Sequence, residues 1–124
     1  MELIEILKGA RKRIEAADYL ADGYYEMEEI MYGKCYCAVG HVFNEMNFTQ
    51  EDFDNVDGFT IDSLNFDIDI KGKLLPLKPI ATELQMLQDA NDQSSNDARK
   101  RNVLNKLDEI IEKVEVLQNG NSND

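Results

Sequence analysis

The sequence has few of the features that mark secreted or membrane-spanning proteins. Its only two cysteines, Cys35 and Cys37, are separated by one residue, which is too close for an ordinary disulfide. No segment approaches the roughly 18 consecutive apolar residues that a membrane span needs. The opening residues, MELIEILK, do not resemble a secretory signal. We therefore expect free thiols, no membrane association and a location in the cytoplasm.

The chain also lacks the motifs of common catalytic and cofactor-binding sites. It has no phosphate-binding glycine loop, no dinucleotide fingerprint and no paired-carboxylate helix motif. The stretch DFDNVDGFTID fails as a calcium loop, because aligning Gly58 with the glycine of such a loop places Phe53 and Leu64 at ligand positions. These absences favour a protein that has no metal or other cofactor and that is not an enzyme.

What the chain does contain suits one mainly helical domain. Its 124 residues, 43% of them hydrophobic, are enough to fill a single core. Apolar residues recur at helical spacing in several stretches, and they alternate with polar residues between Leu64 and Ile70. We predict a predominantly helical α+β fold with four to five helices and one small β-hairpin at about residues 64–77. The single domain would cover residues 1–118, and residues 119–124 would form a polar tail.

The first three predicted helices follow one another closely. The first covers about residues 3–23, and the second, which contains both cysteines, covers about residues 35–46. Thr49 and Asp52 have the spacing of a capping box, with Asp in place of the usual Glu or Gln. They predict a third, short helix that ends near residue 56.

The last two predicted helices are separated by the polar stretch NDQSSND. Pro79 suits the first turn of the fourth helix, and Asn96 or Asp97 can cap the fifth. The apolar stripe of the fifth helix consists of Val103, Leu107, Ile110, Val114 and Leu117. A stripe this wide favours packing within the domain, and a dimer seam is the alternative.

The net charge of −12 is concentrated in the middle of the chain. Residues 24–70 contain eleven acids and one base and so carry −10, whereas the rest of the chain carries −2. Such a segment repels nucleic acid and attracts a partner with a basic surface. The alternative is an acidic surface that only keeps the protein in solution. The acids that we assign to partner binding are Glu26, Glu28, Glu29, Glu51, Asp52, Asp54 and Asp57.

The densest group of reactive side chains is CYCAVGH, which contains Cys37, Gly40 and His41. On a helix, Cys37 and His41 would share a face, since they are four residues apart. They could then contact a ligand, pair as nucleophile and base, or bind a metal together with carboxylates. The fourth interpretation is a small buried thiol packed beside a glycine. No other His or Cys lies outside this stretch, and we therefore expect no metal.

Three short motifs are spread over most of the chain. It opens with ILKGARKRIE, continues with Cys37-x-x-Gly40 followed by His41, and has Asn91-Asp92 before a closing VLNKLDEII helix. Together these motifs resemble a family of small proteins of unassigned function from tailed phages and from bacterial genomes with related genes. The resemblance implies an accessory protein that acts inside a bacterial host. It also implies that the Cys-x-x-Gly and Asn-Asp elements are neighbours, where they hold a small polar ligand or merely cap and turn the chain.

Three hypotheses about function remain open on the sequence. In the first and preferred one, a monomer or homodimer blocks a host protein of defence or nucleic-acid handling through its acidic segment, for example as a mimic of nucleic acid. In the second, the protein binds or sequesters a nucleotide-like ligand. That ligand would contact Cys37, Gly40, His41, Asn91, Asp92, Arg99 and Arg101. In the third, Cys37 and His41 form the centre of an enzyme.

Overall fold

The structure, a computed structural model, describes residues 2–21, 27–29, 33–56, 61–70 and 72–122. These residues form five α-helices, two 3₁₀ helices and two antiparallel strand pairs, which confirms the predicted helical α+β class. The elements are α1 (Leu3–Ala16), β1 (Met27–Glu29), β2 (Gly33–Cys35), α2 (Ala38–Glu45), α3 (Gln50–Asp54), a 3₁₀ helix (Ile61–Asn65), β3 (Asp69–Ile70), β4 (Lys73–Leu74), a second 3₁₀ helix (Lys78–Ile80), α4 (Ala81–Gln93) and α5 (Asn96–Ser122).

Four helices enclose one hydrophobic core. Helix α5 packs along both α4 and α1, while α2 packs against α1 and also contacts α4. Each of these helices turns its apolar stripe inward, because burying that stripe is the main source of helix stability in a protein. The fully buried side chains include Ile6, Ile14, Val39, Val42, Leu84, Leu87, Val103 and Leu107.

Helix α5 packs within the domain, as its stripe predicts, over most of its 27 residues. Val103 and Leu107 are fully buried and Val114 is 5% exposed, whereas Leu117 is 58% exposed. The helical backbone continues to Ser122, so residues 119–122, which we predicted as a tail, belong to α5. None of the helices among the described residues combines the length and the apolar character needed to cross a membrane.

Helix α1 ends well before Gly23, where the sequence predicts its end. Ala17 already has an extended backbone, with φ −73° and ψ 139°. The chain then forms a parallel bridge between Leu20 and Tyr36, and the N–H of Ala21 donates to the Tyr36 carbonyl at 3.0 Å. This pairing fixes the entry to α2, and it requires an extended chain where the prediction had helix.

The prediction that α2 includes Cys35 is wrong. Cys35 is the last residue of β2, paired with Met27 of β1, and the helix begins only at Ala38. Cys37 is therefore the N-cap residue of α2 and has an extended backbone. This strand pair lies in a stretch that has no clear alternation of apolar and polar residues, which is why the sequence did not reveal it.

The β3–β4 hairpin lies inside the predicted range of 64–77 but is shorter. Asp69 pairs with Leu74 and Ile70 with Lys73, and Gly72 in the turn has a φ of +77°, which favours glycine. The first two residues of the alternating stretch, Leu64 and Asn65, end the 3₁₀ helix Ile61–Asn65 and are not part of a strand.

Helix α3 has the capping box that the sequence predicts. The Asp52 carboxylate accepts hydrogen bonds from the Thr49 backbone N–H at 2.8 Å and from its hydroxyl at 3.3 Å. On the inner side of α3, the Phe53 ring lies 4.2 Å from the Phe43 ring, centroid to centroid, and 6.0 Å from that of Phe48. The aromatic cluster attaches this short acidic helix to the core.

The starts of the last two helices differ by a residue or two from their predicted positions. Pro79 lies in the 3₁₀ helix that leads directly into α4. Helix α5 begins at Asn96, so Ser95 takes the N-cap position in place of Asn96 or Asp97. The Ser95 carbonyl accepts from the Arg99 N–H at 2.8 Å.

Helices α1 and α2 approach each other closely at Gly9. A Cβ added at this position would overlap the carboxyl group of Glu45 on α2. That carboxyl group also accepts a hydrogen bond from Arg13 Nε at 2.6 Å. The absence of a side chain at Gly9 therefore lets Glu45 reach across to Arg13.

A double-mutant cycle tests this contact. In a Glu45→Ala background, we expect Gly9→Ala to stabilise the protein by about 1 kcal/mol, since alanine is the better residue inside a helix. With Glu45 present, the same change should be neutral or destabilising, because the carboxylate must move away from Arg13. Urea unfolding of the four proteins measures the difference, and equal effects in both backgrounds would disprove the close approach.

Candidate functional site

Cys37 and Gly40 form a cap at the start of α2. The thiol sulfur of Cys37 lies 3.3 Å from the Gly40 nitrogen and accepts its hydrogen bond. Cys37 is fully buried, and this burial raises the pKa of its thiol to about 12. The thiol is therefore protonated at neutral pH, a form that is a poor nucleophile and a poor metal ligand.

Asn91 of α4 lies beside this cap, so the Cys-x-x-Gly and Asn-Asp motifs are neighbours. Its side-chain oxygen accepts from the Ala38 N–H at 3.0 Å, and its side-chain nitrogen donates to the Ala21 carbonyl at 2.8 Å. The same nitrogen donates to the Asp92 carboxylate at 3.0 Å. Asn91 is fully buried, so its amide joins α4, the start of α2 and the chain that follows α1.

Arg99 completes the group on the α5 side. Its guanidinium donates to three backbone carbonyls: Nε to Asn91 at 2.6 Å, Nη1 to Leu20 at 3.3 Å and Nη2 to Ser94 at 3.1 Å. Only 4% of Arg99 is exposed. We call Cys37, Gly40, Asn91, Asp92 and Arg99 the buried polar cluster, after its four buried members; Asp92 is exposed at its edge. The hydrogen bonds of the cluster fix the turn between α4 and α5 against the segment that follows α1.

Gln88 is a member of this neighbourhood that sequence reasoning missed. Its side-chain nitrogen donates to the Asp92 carboxylate at 2.9 Å from one turn earlier on α4. The carbonyls of Leu20 and Ala21 were missed as well, because backbone acceptors leave no signal in a sequence. The one usable signal for Gln88 was its spacing of four residues from Asp92 on a predicted helix.

The side chain of His41 does not take part in the hydrogen bonds of the buried polar cluster. Both of its ring nitrogens are buried and have no hydrogen-bond partner among the described residues, so the imidazole is not bonded to the Cys37 thiol. Its ring lies 5.4 Å from that of Tyr36 in an edge-to-face arrangement. Burial, followed by the charge of Arg13, lowers the pKa of His41 to about 4, and the ring is neutral at pH 7.

The remaining residue of the predicted ligand site lies elsewhere. Arg101 is exposed, and it lines a separate groove between α1 and α5. The structure thus brings five of the seven predicted ligand-binding residues together, in a buried cluster whose hydrogen bonds hold the fold. Among the described residues, no group of three or more His, Cys, Asp or Glu side chains could hold a metal ion.

The acids assigned to partner binding differ in how far the structure describes them. Glu51 is exposed in the first turn of α3, whereas Asp52 is 7% exposed and is bonded within the capping box. Other acids of residues 24–70 also have local partners: Glu45 binds Arg13, and the Asp67 carboxylate lies 3.7 Å from the Lys78 amine. The side chains of Glu28, Glu29 and Asp54, and all of Glu26 and Asp57, lie outside the described residues.

Comparison with models of known protein families, with curated proteins and with solved structures finds no match to this chain. The resemblance to small phage proteins therefore stays a prediction, and the function must be argued from the residues themselves.

The buried amide can be tested by truncation. We expect Asn91→Ala to destabilise the protein by about 2–4 kcal/mol, because it leaves the Ala38 N–H and the Ala21 carbonyl buried without partners. Asn105→Ala is the matched control, since Asn105 is an exposed asparagine on α5. Urea unfolding compares the two variants, and a similar small effect for both would contradict the structural role of Asn91.

The neutral state of His41 predicts a pH dependence. Its folded pKa of about 4 lies below the ordinary value of 6.5, so the unfolded chain binds the proton first as the pH falls. Stability should be lost between pH 6.5 and about 4, by roughly 2–3 kcal/mol at the low end. His41→Phe removes this part of the loss, while the carboxylates common to both proteins cancel. Unfolding free energies of the two proteins that run parallel over this range would refute the prediction.

Proposed function

We propose that this protein acts by binding a partner and not by catalysis, through an acidic surface formed within residues 24–70. The partner is a protein with a basic surface. The observation that carries the proposal is the charge distribution, with −10 in these residues against −2 in the rest of the chain. A surface of one sign raises the rate at which an oppositely charged partner arrives, and it orients that partner.

The packing of α3 supports this proposal. Phe53 is 2% exposed and faces Phe43, so the inner side of the helix is held by the core. Glu51 lies on the same short helix and is exposed. A rigidly attached acid of this kind loses little side-chain and backbone freedom on binding, which favours its use in recognition.

The state of the reactive side chains supports binding over catalysis. The Cys37 thiol is buried and its pKa is raised to about 12, and the His41 ring has no hydrogen bond to it. The side chains of Asn91 and Arg99 form hydrogen bonds with backbone groups of the fold. A nucleophile and its base need a hydrogen bond to each other and access to a substrate, whereas the side chains of Cys37 and His41 share no hydrogen bond and are buried.

We also propose a class of partner. The resemblance to phage proteins supports a host protein of defence or nucleic-acid handling. Such proteins bind phosphates with Lys and Arg side chains, and a row of carboxylates can occupy the same side chains. In that case the protein would act as an inhibitor that mimics nucleic acid.

Capture from a cell extract with two charge-matched variants tests the proposal. In the first, Glu28, Glu29, Glu51 and Asp54 become Gln or Asn. The control variant carries the same kind of change at Glu5, Asp18, Asp89 and Glu112. Both variants lose four acids, so the net charge of each is −8 in place of −12. At about 50 mM salt, we expect the first variant to lose the captured partner and the control to keep it. We also expect about 500 mM salt to release the partner from the wild-type protein. Equal capture by both variants, or capture that salt does not weaken, would overturn the proposal.

A further inference from the structure

A groove lies between α1 and the first half of α5, away from the acidic segment. It is open to solvent and has a volume of about 430 Å³. Its lining residues are Arg11 from α1 and Asp97, Lys100, Arg101, Leu104, Asn105 and Asp108 from α5.

Both carboxylates that line this groove interact with nearby positive charge. Asp108 accepts from Arg11 Nε at 2.5 Å and from Arg11 Nη2 at 3.3 Å, so these two side chains form a paired unit. Asp97 lies in the first turn of α5, where the helix dipole balances a negative charge. The lining therefore has three cations against two carboxylates, and neither Lys100 nor Arg101 forms an ion pair with a described carboxylate.

The three consecutive bases at residues 99–101 have different tasks. Arg99 is buried and holds backbone carbonyls, and Lys100 donates to the Ala17 carbonyl at 3.1 Å. Arg101 is exposed and has no hydrogen bond or ion pair with another described residue. Its guanidinium is therefore free for a ligand, and its planar set of N–H donors matches two oxygens of a phosphate.

The rest of the groove suits the organic part of such a ligand. Leu104 is half-buried and supplies an apolar wall, and the exposed Asn105 amide can both donate and accept. We propose that this groove binds a small organic phosphate, with Arg101 and Lys100 holding the phosphate and Leu104 and Asn105 contacting the organic group. This site does not depend on the proposed acidic surface.

A neighbouring groove on α1 shows why this one is preferred. It is lined by Glu5, Lys8, Gly9, Lys12, Arg13 and Glu45. Two of its cations are engaged by carboxylates, Arg13 by Glu45 at 2.6 Å and Lys8 by Glu115 at 3.0 Å. Lys12 is the third cation of this lining, and the charge of Glu5 in the same lining offsets it.

Titration followed by amide NMR tests the site, with inorganic phosphate and AMP as the two probes. We expect saturable shifts that are centred on Lys100, Arg101 and Asn105, and AMP should bind at least about tenfold more tightly than phosphate because it also contacts Leu104. Arg101→Gln should weaken AMP binding about tenfold or more. Lys113→Gln is the control of equal charge change, since Lys113 is exposed on the same helix and binds Glu83 at 2.8 Å.

Three outcomes would overturn the proposal. The first is that neither probe produces saturable shifts in the groove. The second is that Arg101→Gln and Lys113→Gln weaken AMP binding equally, which would indicate attraction to overall charge only. The third is equal affinity for phosphate and AMP, which would show that the groove does not recognise the organic group of the ligand. None of these outcomes bears on the acidic surface, which the capture experiment tests separately.

Discussion

The side-chain amide of Asn91 binds two backbone groups from distant parts of the chain, the Ala38 N–H and the Ala21 carbonyl. Both groups are buried, and an unpaired buried backbone group would cost about 1–3 kcal/mol. Arg99 then binds the backbone carbonyl of Asn91 itself and that of Leu20. The position of α2, the path of the chain after α1 and the turn between α4 and α5 all depend on this set of bonds.

This arrangement changes the meaning of the two motifs that looked most reactive. Cys37 accepts a hydrogen bond at a helix N-terminus, and Asn91 caps the same helix from a second one. Cys, His, Asn and Arg are frequent in active sites, yet the same donor and acceptor groups serve equally well to satisfy buried backbone. Because Cys37, Asn91 and Arg99 are buried and bonded to backbone groups, they stabilise the fold.

Along the chain, negative charge is concentrated in residues 24–70, which carry −10 against −2 in the rest. The bases of α1 are mostly paired with acids of α2 and α5, as in the bonds from Arg13 to Glu45 and from Arg11 to Asp108. Exposed pairs of this kind contribute little stability each, and their main effect is to cancel charge. Arg101 has no ion pair with another described residue, and the acids of residues 24–70 outnumber the bases there by eleven to one. These two features support the proposed acidic partner surface and the proposed phosphate groove.

The periodicity of apolar residues by itself determined most of the helical frame. The stripe from Val103 to Val114 is buried as predicted, and the capping box of Thr49 and Asp52 forms, because both signals are local and depend on residues within a turn or two. Local signals could not predict that α1 stops before Gly23, nor that Cys35 lies in a strand. Both depend on the pairing of Leu20 with Tyr36 and of Met27 with Cys35, which joins separate segments.

From the sequence we predicted that Cys37, Asn91 and Arg99 contact a ligand, and in the structure their side chains bond backbone groups of the fold. Whether a polar side chain binds a ligand or a buried backbone group depends on what the fold places around it. Only the tertiary structure put Asn91 against Ala38 and left Arg101, two residues beyond Arg99, without a partner among the described residues. Residue types and spacing are properties of the chain, whereas burial and hydrogen-bond partners arise only when distant segments pack together.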